Sequence, residues 1–242
     1  MMKMFIKKLV IWSANSSMLS FPRKFFARIV IFAIESKGMV VISYNDPERR
    51  NVLDLIRKIK REMPMLISDN EAYQIFMAVK RTEKIAGDLA EVGVYKGGSA
   101  KLIRESDRDK KLHLFDTFDG LPRVGEIDKP FFYEGQFAAS LEDVKTYLKD
   151  YKYIYFHKGL FPDSAGPVEN KNFSFVHLDV DTYESTINCL QFFYQRMNQG
   201  GIIISHDYIN APGVRKAFDE FFKGKTEPII EMSGSQCLIV KL

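Results

Sequence analysis

Two short apolar runs in this sequence end in groups that bind cations or move protons. Phe175-Val176-His177-Leu178-Asp179-Val180-Asp181-Thr182-Tyr183 ends in two acids, and Ile203-Ile204-Ser205-His206-Asp207-Tyr208 ends in an imidazole and an acid. As neighbouring strands, they bring Asp179, Asp181, His206 and Asp207 to one point. Carboxylates crowded at a dry strand end repel one another until a cation or a proton neutralises them. Hard oxygen donors favour Mg²⁺, with Ca²⁺ or Mn²⁺ as alternatives, over zinc. The competing reading makes these acids caps for the helices that follow.

A second constellation is Glu91-Val92-Gly93-Val94-Tyr95-Lys96-Gly97-Gly98-Ser99, a strand running into a glycine turn and a helix. Doubly wound folds bind ligands at such strand ends, and glycine lets the backbone approach a cofactor closely. The spacing departs from GxGxxG, and an acid precedes the glycines. That suits a cofactor bearing a positively charged amino acid rather than a pyrophosphate. Glu91, Gly93, Gly97, Gly98 and Ser99 are the candidate cofactor contacts. Asp116, followed by Thr117, ends the next apolar run roughly 20 residues further on, where an acid can accept hydrogen bonds from ribose hydroxyls. Its alternative reading is a turn cap.

The elements that must position these groups are legible from periodicity. Asp46-Pro47-Glu48 starts a helix with Val52, Leu55, Ile56 and Ile59 on one face, and Ser68 with Glu71 has the capping-box spacing that starts a second. Strands are expected at Asp88–Gly93, Leu112–Asp116, Tyr153–His157, Phe173–Leu178 and Ile202–Ser205. Between them come helices from the glycine turn to Arg104, from Ser140 to Asp150 and over Tyr183–Met197, with Asn198-Gln199-Gly200-Gly201 ending the last. Pro212–Phe222 is a helix, and Pro228–Glu231 with Gln236–Lys241 form a closing antiparallel pair. This alternation implies an α/β fold: a doubly wound, mostly parallel, Rossmann-like sheet. Residues 46–242 form that domain, and the loop 117–139 beside the site reads as a lid, with a disordered surface loop as the alternative.

An apolar share of 46% supports one sizeable core without disulfides, and the two cysteines, Cys189 and Cys237, have no metal-ligand spacing. Both facts fit a reducing cytoplasm. A net charge of +4 with interleaved signs does not mark a nucleic-acid binder. Residues 1–45 differ: Lys3, Lys7, Lys8, Arg23, Lys24 and Arg28 stand among Phe, Ile, Leu and Val with no acid between Met1 and Arg28. The apolar runs are too short for a signal peptide or a membrane span. They read as two short amphipathic helices, a helical extension that covers the domain or a dimer partner, or lies on a membrane surface.

Five stretches, in order, carry a family resemblance: Gly87–Ala100, Phe115–Pro122, Lys158–Asp163, Leu178–Thr186, and Gly200-Gly201 through Tyr208. From about Asp69 onwards the chain resembles the metal-dependent macrocin O-methyltransferases. The resemblance implies methyl transfer from S-adenosylmethionine to a hydroxyl of a sugar or sugar-bearing small molecule, assisted by Mg²⁺. It implies that Glu91, Gly93, Gly98 and Ser99 line the methionine end of the cofactor and that Asp116 holds the ribose. Asp179 and Asp207 would bind the metal, with Asp179 as base. Where the family usually has a second Asp, this chain has His206, a candidate ligand and a candidate base. The alternatives are a nicotinamide-dependent oxidoreductase, which the missing GxGxxG opposes, and a binding module that has lost turnover.

Overall fold

The computed structural model describes residues 21–36 and 46–242. The chain divides into two units, one ending at Leu53 and the other spanning Asp54–Leu242. In the first, Phe21–Glu35 is helix α1. It is the second of the two amphipathic helices expected; the first falls outside the described residues. Helix α2, Pro47–Glu62, starts as its sequence dictates, with Asp46 Oδ1 accepting the Arg49 N–H at 3.1 Å.

The second unit holds a seven-stranded sheet in the order β3-β2-β1-β4-β5-β7-β6. Strands β1 (Asp88–Val92), β2 (Leu112–Asp116), β3 (Ile154–Lys158), β4 (Phe173–Leu178) and β5 (Met197–Ser205) are parallel. The short β6 (Ile230–Glu231) and β7 (Cys237–Val240) close the sheet antiparallel. The crossovers carry α4 (Gly98–Ser106), α5 (Leu141–Leu148), α6 (Tyr183–Tyr194) and α7 (Pro212–Phe222), while α3 (Asp69–Arg81) precedes β1. The chain winds outward in both directions from the β1–β4 pair, so the crevice at the carboxyl ends of those strands is the switch point where doubly wound sheets bind ligands.

Alternation along the strands sends Ala90, Val92, Val176 and Leu178 into one core with Cys189, Leu190 and Phe193 of α6 and Val214, Phe218 and Phe222 of α7. Phe161 stacks on Phe193 at 5.1 Å, and Phe173 meets the same ring edge-on at 5.0 Å. Each such ring taken out of water contributes about 1.5–3 kcal/mol. Leu89, Glu91 and His177 point to the other face.

One expected boundary is corrected. Asn198-Gln199-Gly200-Gly201 does not end a helix; it lies inside β5, and α6 stops at Tyr194. Phe173 pairs with Met197 but Phe175 with Ile202, so the strand carries a bulge that Gly200, at φ +81°, turns. Helical periodicity could not separate a helix end from a bulged strand start in a Gly-rich run.

Candidate active site

The strand ends are zipped together by main-chain bonds. Gly93 N–H reaches Phe115 O at 2.9 Å, Asp179 N–H reaches Val92 O at 2.9 Å, and His206 N–H reaches Leu178 O at 2.8 Å. This aligns the loops after β1, β2, β4 and β5 along one edge. In each loop a non-glycine residue takes a positive φ: Tyr95 (50°), Phe118 (58°), Asp181 (62°) and Asp207 (59°). Such backbone strain concentrates at functional sites. Gly93 has no alternative, since a Cβ there would stand 1.9 Å from Asp179 O.

These loops bound a cavity of about 320 Å³. Gly93, Gly98, Ser99, Asp116, Thr117, Asp179, Asp181, His206 and Asp207 are all in its wall. Two of the candidate cofactor residues are not. Gly97 sits behind the turn as the left-handed residue before α4. Glu91 is fully buried, its Oε1 on His177 Nδ1 at 2.9 Å and its Oε2 without a partner, and burial raises its carboxyl above the usual range. The motif places Glu91 one layer beneath the surface that a cofactor would touch.

Asp116 faces the cavity and also organises the glycine turn. Its Oδ2 accepts the Val94 and Tyr95 N–H groups at 2.7 and 2.8 Å, and its Oδ1 accepts that of Phe118 at 2.6 Å. Burial pushes its carboxyl up, and these three donors work against that shift. The turn-cap reading is therefore part of its role; Oδ2 is filled by two donors, and Oδ1, with one, keeps lone-pair capacity.

Asp179, His206 and Asp207 offer three ligand atoms within 4.8 Å of one another. None of the clustered acids caps a helix. Thr182 caps α6 through its hydroxyl, and α7 follows Ala211 with no side-chain cap. His206 Nδ1 lies 3.1 Å from Asp179 Oδ1 and 3.0 Å from Asp207 Oδ2, yet its geometry makes a hydrogen bond to neither. A buried ring nitrogen facing two carboxylate oxygens without bonding either is a donor set suited to a divalent cation. Burial and then the charges of Asp179 and Asp207 push Asp181 well above the usual carboxylate range. Burial also opposes charge on Asp179 and His206, but their mutual attraction, joined at His206 by Asp207 and Glu71, outweighs it, so Asp179 is held low and His206 high.

Two groups escaped the sequence reading as site residues. Glu71 announces itself only as half of the α3 capping box, which forms as expected. Its Oε1 also accepts the Ser235 N–H and Oγ at 2.7 and 2.8 Å, and stands 3.7 Å from His206 Nε2. Asp128, in the loop 117–139, accepts the Tyr183 N–H at 3.0 Å and so ties that loop to the start of α6. The loop closes on itself through Leu121 N–H to Gln136 O (2.8 Å) and Gly135 N–H to Leu121 O (2.9 Å). Its residues Gly120, Leu121, Pro122, Phe132, Gln136 and Phe137 form one side of the cavity.

Comparison with known proteins agrees with this architecture. Residues 8–237 match the Macrocin-O-methyltransferase (TylF) family. Demethyldecarbamoylnovobiocin O-methyltransferase of Streptomyces niveus is 30% identical over 153 residues, 57% of this chain and 58% of that protein. A tetracenomycin rhamnosyl 4'-O-methyltransferase of Streptomyces olivaceus is 29% identical over 62% of this chain and 64% of its own. The chain thus spans about three fifths of the length of these curated relatives. Among solved structures, the O-methyltransferase NovP is similar with a TM-score of 0.66 at 26% identity, covering 73% of this chain and 81% of that one. The calicheamicin methyltransferase CalS11 shares the fold, with a TM-score of 0.63 at 18% identity over 82% and 94% of the two chains. With a parallel sheet of this order and a match running from residue 8 to residue 237, the chain belongs to the macrocin O-methyltransferase family.

Proposed function

We propose that this protein methylates a hydroxyl of a sugar or sugar-bearing small molecule, using S-adenosylmethionine and a divalent cation, with Mg²⁺ the expected ion. The observation that carries the reading is the convergence of the glycine turn, Asp116 and the Asp179–His206–Asp207 cluster on a single cavity. S-adenosylmethionine supplies a methyl group on a sulfonium, and the cation supplies a Lewis acid that lowers the pKa of the acceptor hydroxyl. The rest is work for the chain's own residues.

The backbone at Gly93, Gly98 and Ser99 admits the cofactor closely, and Asp116 accepts hydrogen bonds from its ribose. Methyl transfer is an in-line displacement, so the acceptor oxygen must be held opposite the methyl carbon, and orientation accounts for much of the rate. Asp179, held ionised beside His206, is the base that receives the hydroxyl proton. Asp179, His206 Nδ1 and Asp207 hold the cation. The loop 117–139 covers the cavity and excludes water, acting as a lid, and its side chains select the acceptor. The relatives named above bear on the acceptor because both are named O-methyltransferases and the name of the Streptomyces olivaceus enzyme specifies a rhamnosyl-bearing tetracenomycin.

A metal-free second reading is favoured by one observation, the position of His206 Nδ1 at 3.0–3.1 Å from two carboxylates, which suits an imidazolium that neutralises them in place of a cation, with Asp179 still the base. Chelation separates the two. Turnover abolished by chelator and restored by Mg²⁺ supports the cation, whereas full turnover in chelator assigns the neutralising charge to His206. Asp116→Ala tests the cofactor: calorimetry with S-adenosylhomocysteine should show about a tenfold or greater loss, since a buried charge-assisted hydrogen bond contributes about 1.5–3 kcal/mol.

A further inference from the structure

Helix α1 carries a feature that methyl transfer leaves unexplained. Phe25, Phe26, Ile29 and Phe32 are between 49% and 72% exposed, and Ala33 beside them is exposed too. At 100° per residue these five positions fall within an arc of about 120° on the helix. Arg28, also exposed, borders the arc beside Phe32, while Val30, Ile31 and Ile34 on the remaining side are half-buried. Scattered exposed apolar residues are ordinary, but three phenylalanines and an isoleucine on one ridge form a patch that needs a partner.

Charge says which partner. The first 34 residues contain six basic side chains and no acid, in a protein whose overall charge is only +4. A basic segment with an aromatic ridge complements an anionic lipid surface: the rings enter the acyl boundary while Arg28 extends its head to the phosphates. No helix among the described residues is long and apolar enough to cross a membrane, so the fit is to a surface. We propose that α1 lies in the plane of an anionic membrane with the Phe25–Phe32 ridge inserted, holding the protein at that surface. The proposal is independent of the active-site reading.

The test is co-sedimentation of the full chain with phosphatidylcholine vesicles and with vesicles containing phosphatidylglycerol. Binding is expected only with the anionic lipid, and it should weaken as salt screens the charge. The double variant Phe25→Ser/Phe32→Ser should bind at least about tenfold more weakly, while thermal melting shows an unchanged transition. Absence of wild-type binding to anionic vesicles overturns the proposal, as does equal binding by the double variant. A lipid-free dimer that the double variant dissolves, without vesicle binding by the wild type, would assign the ridge to a second copy of the chain instead.

Discussion

Replacing Glu71 by glutamine separates two roles that one carboxylate fills. Its Oε2 accepts the Ser68 N–H at 2.7 Å, completing the α3 capping box, and its Oε1 accepts two bonds from Ser235. The same Oε1 faces His206 Nε2 at 3.7 Å, while Nδ1 of that ring points at Asp179 and Asp207. If Nδ1 binds a cation, Nε2 carries the ring proton, and a carboxylate behind it fixes the ring and raises its basicity. Glutamine is nearly isosteric. It keeps an acceptor for Ser235 but loses the charge and one acceptor. Charged hydrogen bonds contribute about 1.5–3 kcal/mol and neutral ones about 0.5–1.5, so Glu71→Gln should lower stability by about 2–4 kcal/mol. Loss of a carboxylate behind a ligating histidine typically weakens metal binding about 10–100-fold. Mn²⁺ titration followed by the electron paramagnetic resonance of the free ion reads the second effect, and urea unfolding in chelator reads the first. Ser68→Ala is the control: it removes a hydroxyl from the same cap, costs about 1 kcal/mol, and should leave Mn²⁺ affinity unchanged. Mn²⁺ affinity unchanged in Glu71→Gln, with only the stability loss, would reduce Glu71 to a helix cap with no part in holding His206.

Three further outcomes are expected. Gly93→Ala combines a left-handed φ with a Cβ 1.9 Å from Asp179 O; a stability loss of about 2–5 kcal/mol in urea unfolding should accompany weakened S-adenosylhomocysteine binding. Asp128→Ala cuts the tie between the loop 117–139 and α6, so KM for the acceptor should rise several-fold while cofactor affinity holds, and Asp128→Asn, which keeps the acceptor oxygen, should behave as wild type. His157 is held down to about 4 by burial and by neighbouring His113. Its depressed pKa means the folded state favours the neutral ring, so the stabilisation is complete above about pH 6.5 and is lost as pH falls toward 4. His157→Phe, stacking on Phe115 as the imidazole does, should remove about 1–2 kcal/mol of that acid-side loss, discounted for the ring's partial exposure; an unchanged acid limb would contradict it.

Much of the fold was legible because strand ends and site residues coincide. Leu112–Asp116 and Phe173–Leu178 read correctly from apolar runs that stop at an acid, and β4 and β5 are neighbours, as two apolar runs separated by one helix imply. Asp179, His206 and Asp207 could be grouped for the same reason. What stayed hidden depends on distance through space. Nothing near Glu71 in the sequence indicates Ser235 or His206, and nothing near Asp128 indicates the N–H of Tyr183. Glu91 was visible as a motif residue, but its depth was not, because alternation along β1 assigns a face and says nothing of how much chain lies over it. The start of β5 was obscured by Gly200, whose positive φ serves a bulge as readily as a helix end.

A crystal grown with S-adenosylhomocysteine and Mn²⁺, with data collected at the manganese absorption edge, would locate both groups in one experiment. The cofactor is expected along the Gly93–Ser99 turn with its ribose against Asp116, with one anomalous peak bounded by Asp179, His206 Nδ1 and Asp207. Cofactor bound away from that turn, or manganese elsewhere while those three side chains keep their separations, would rule out a shared site at these strand ends.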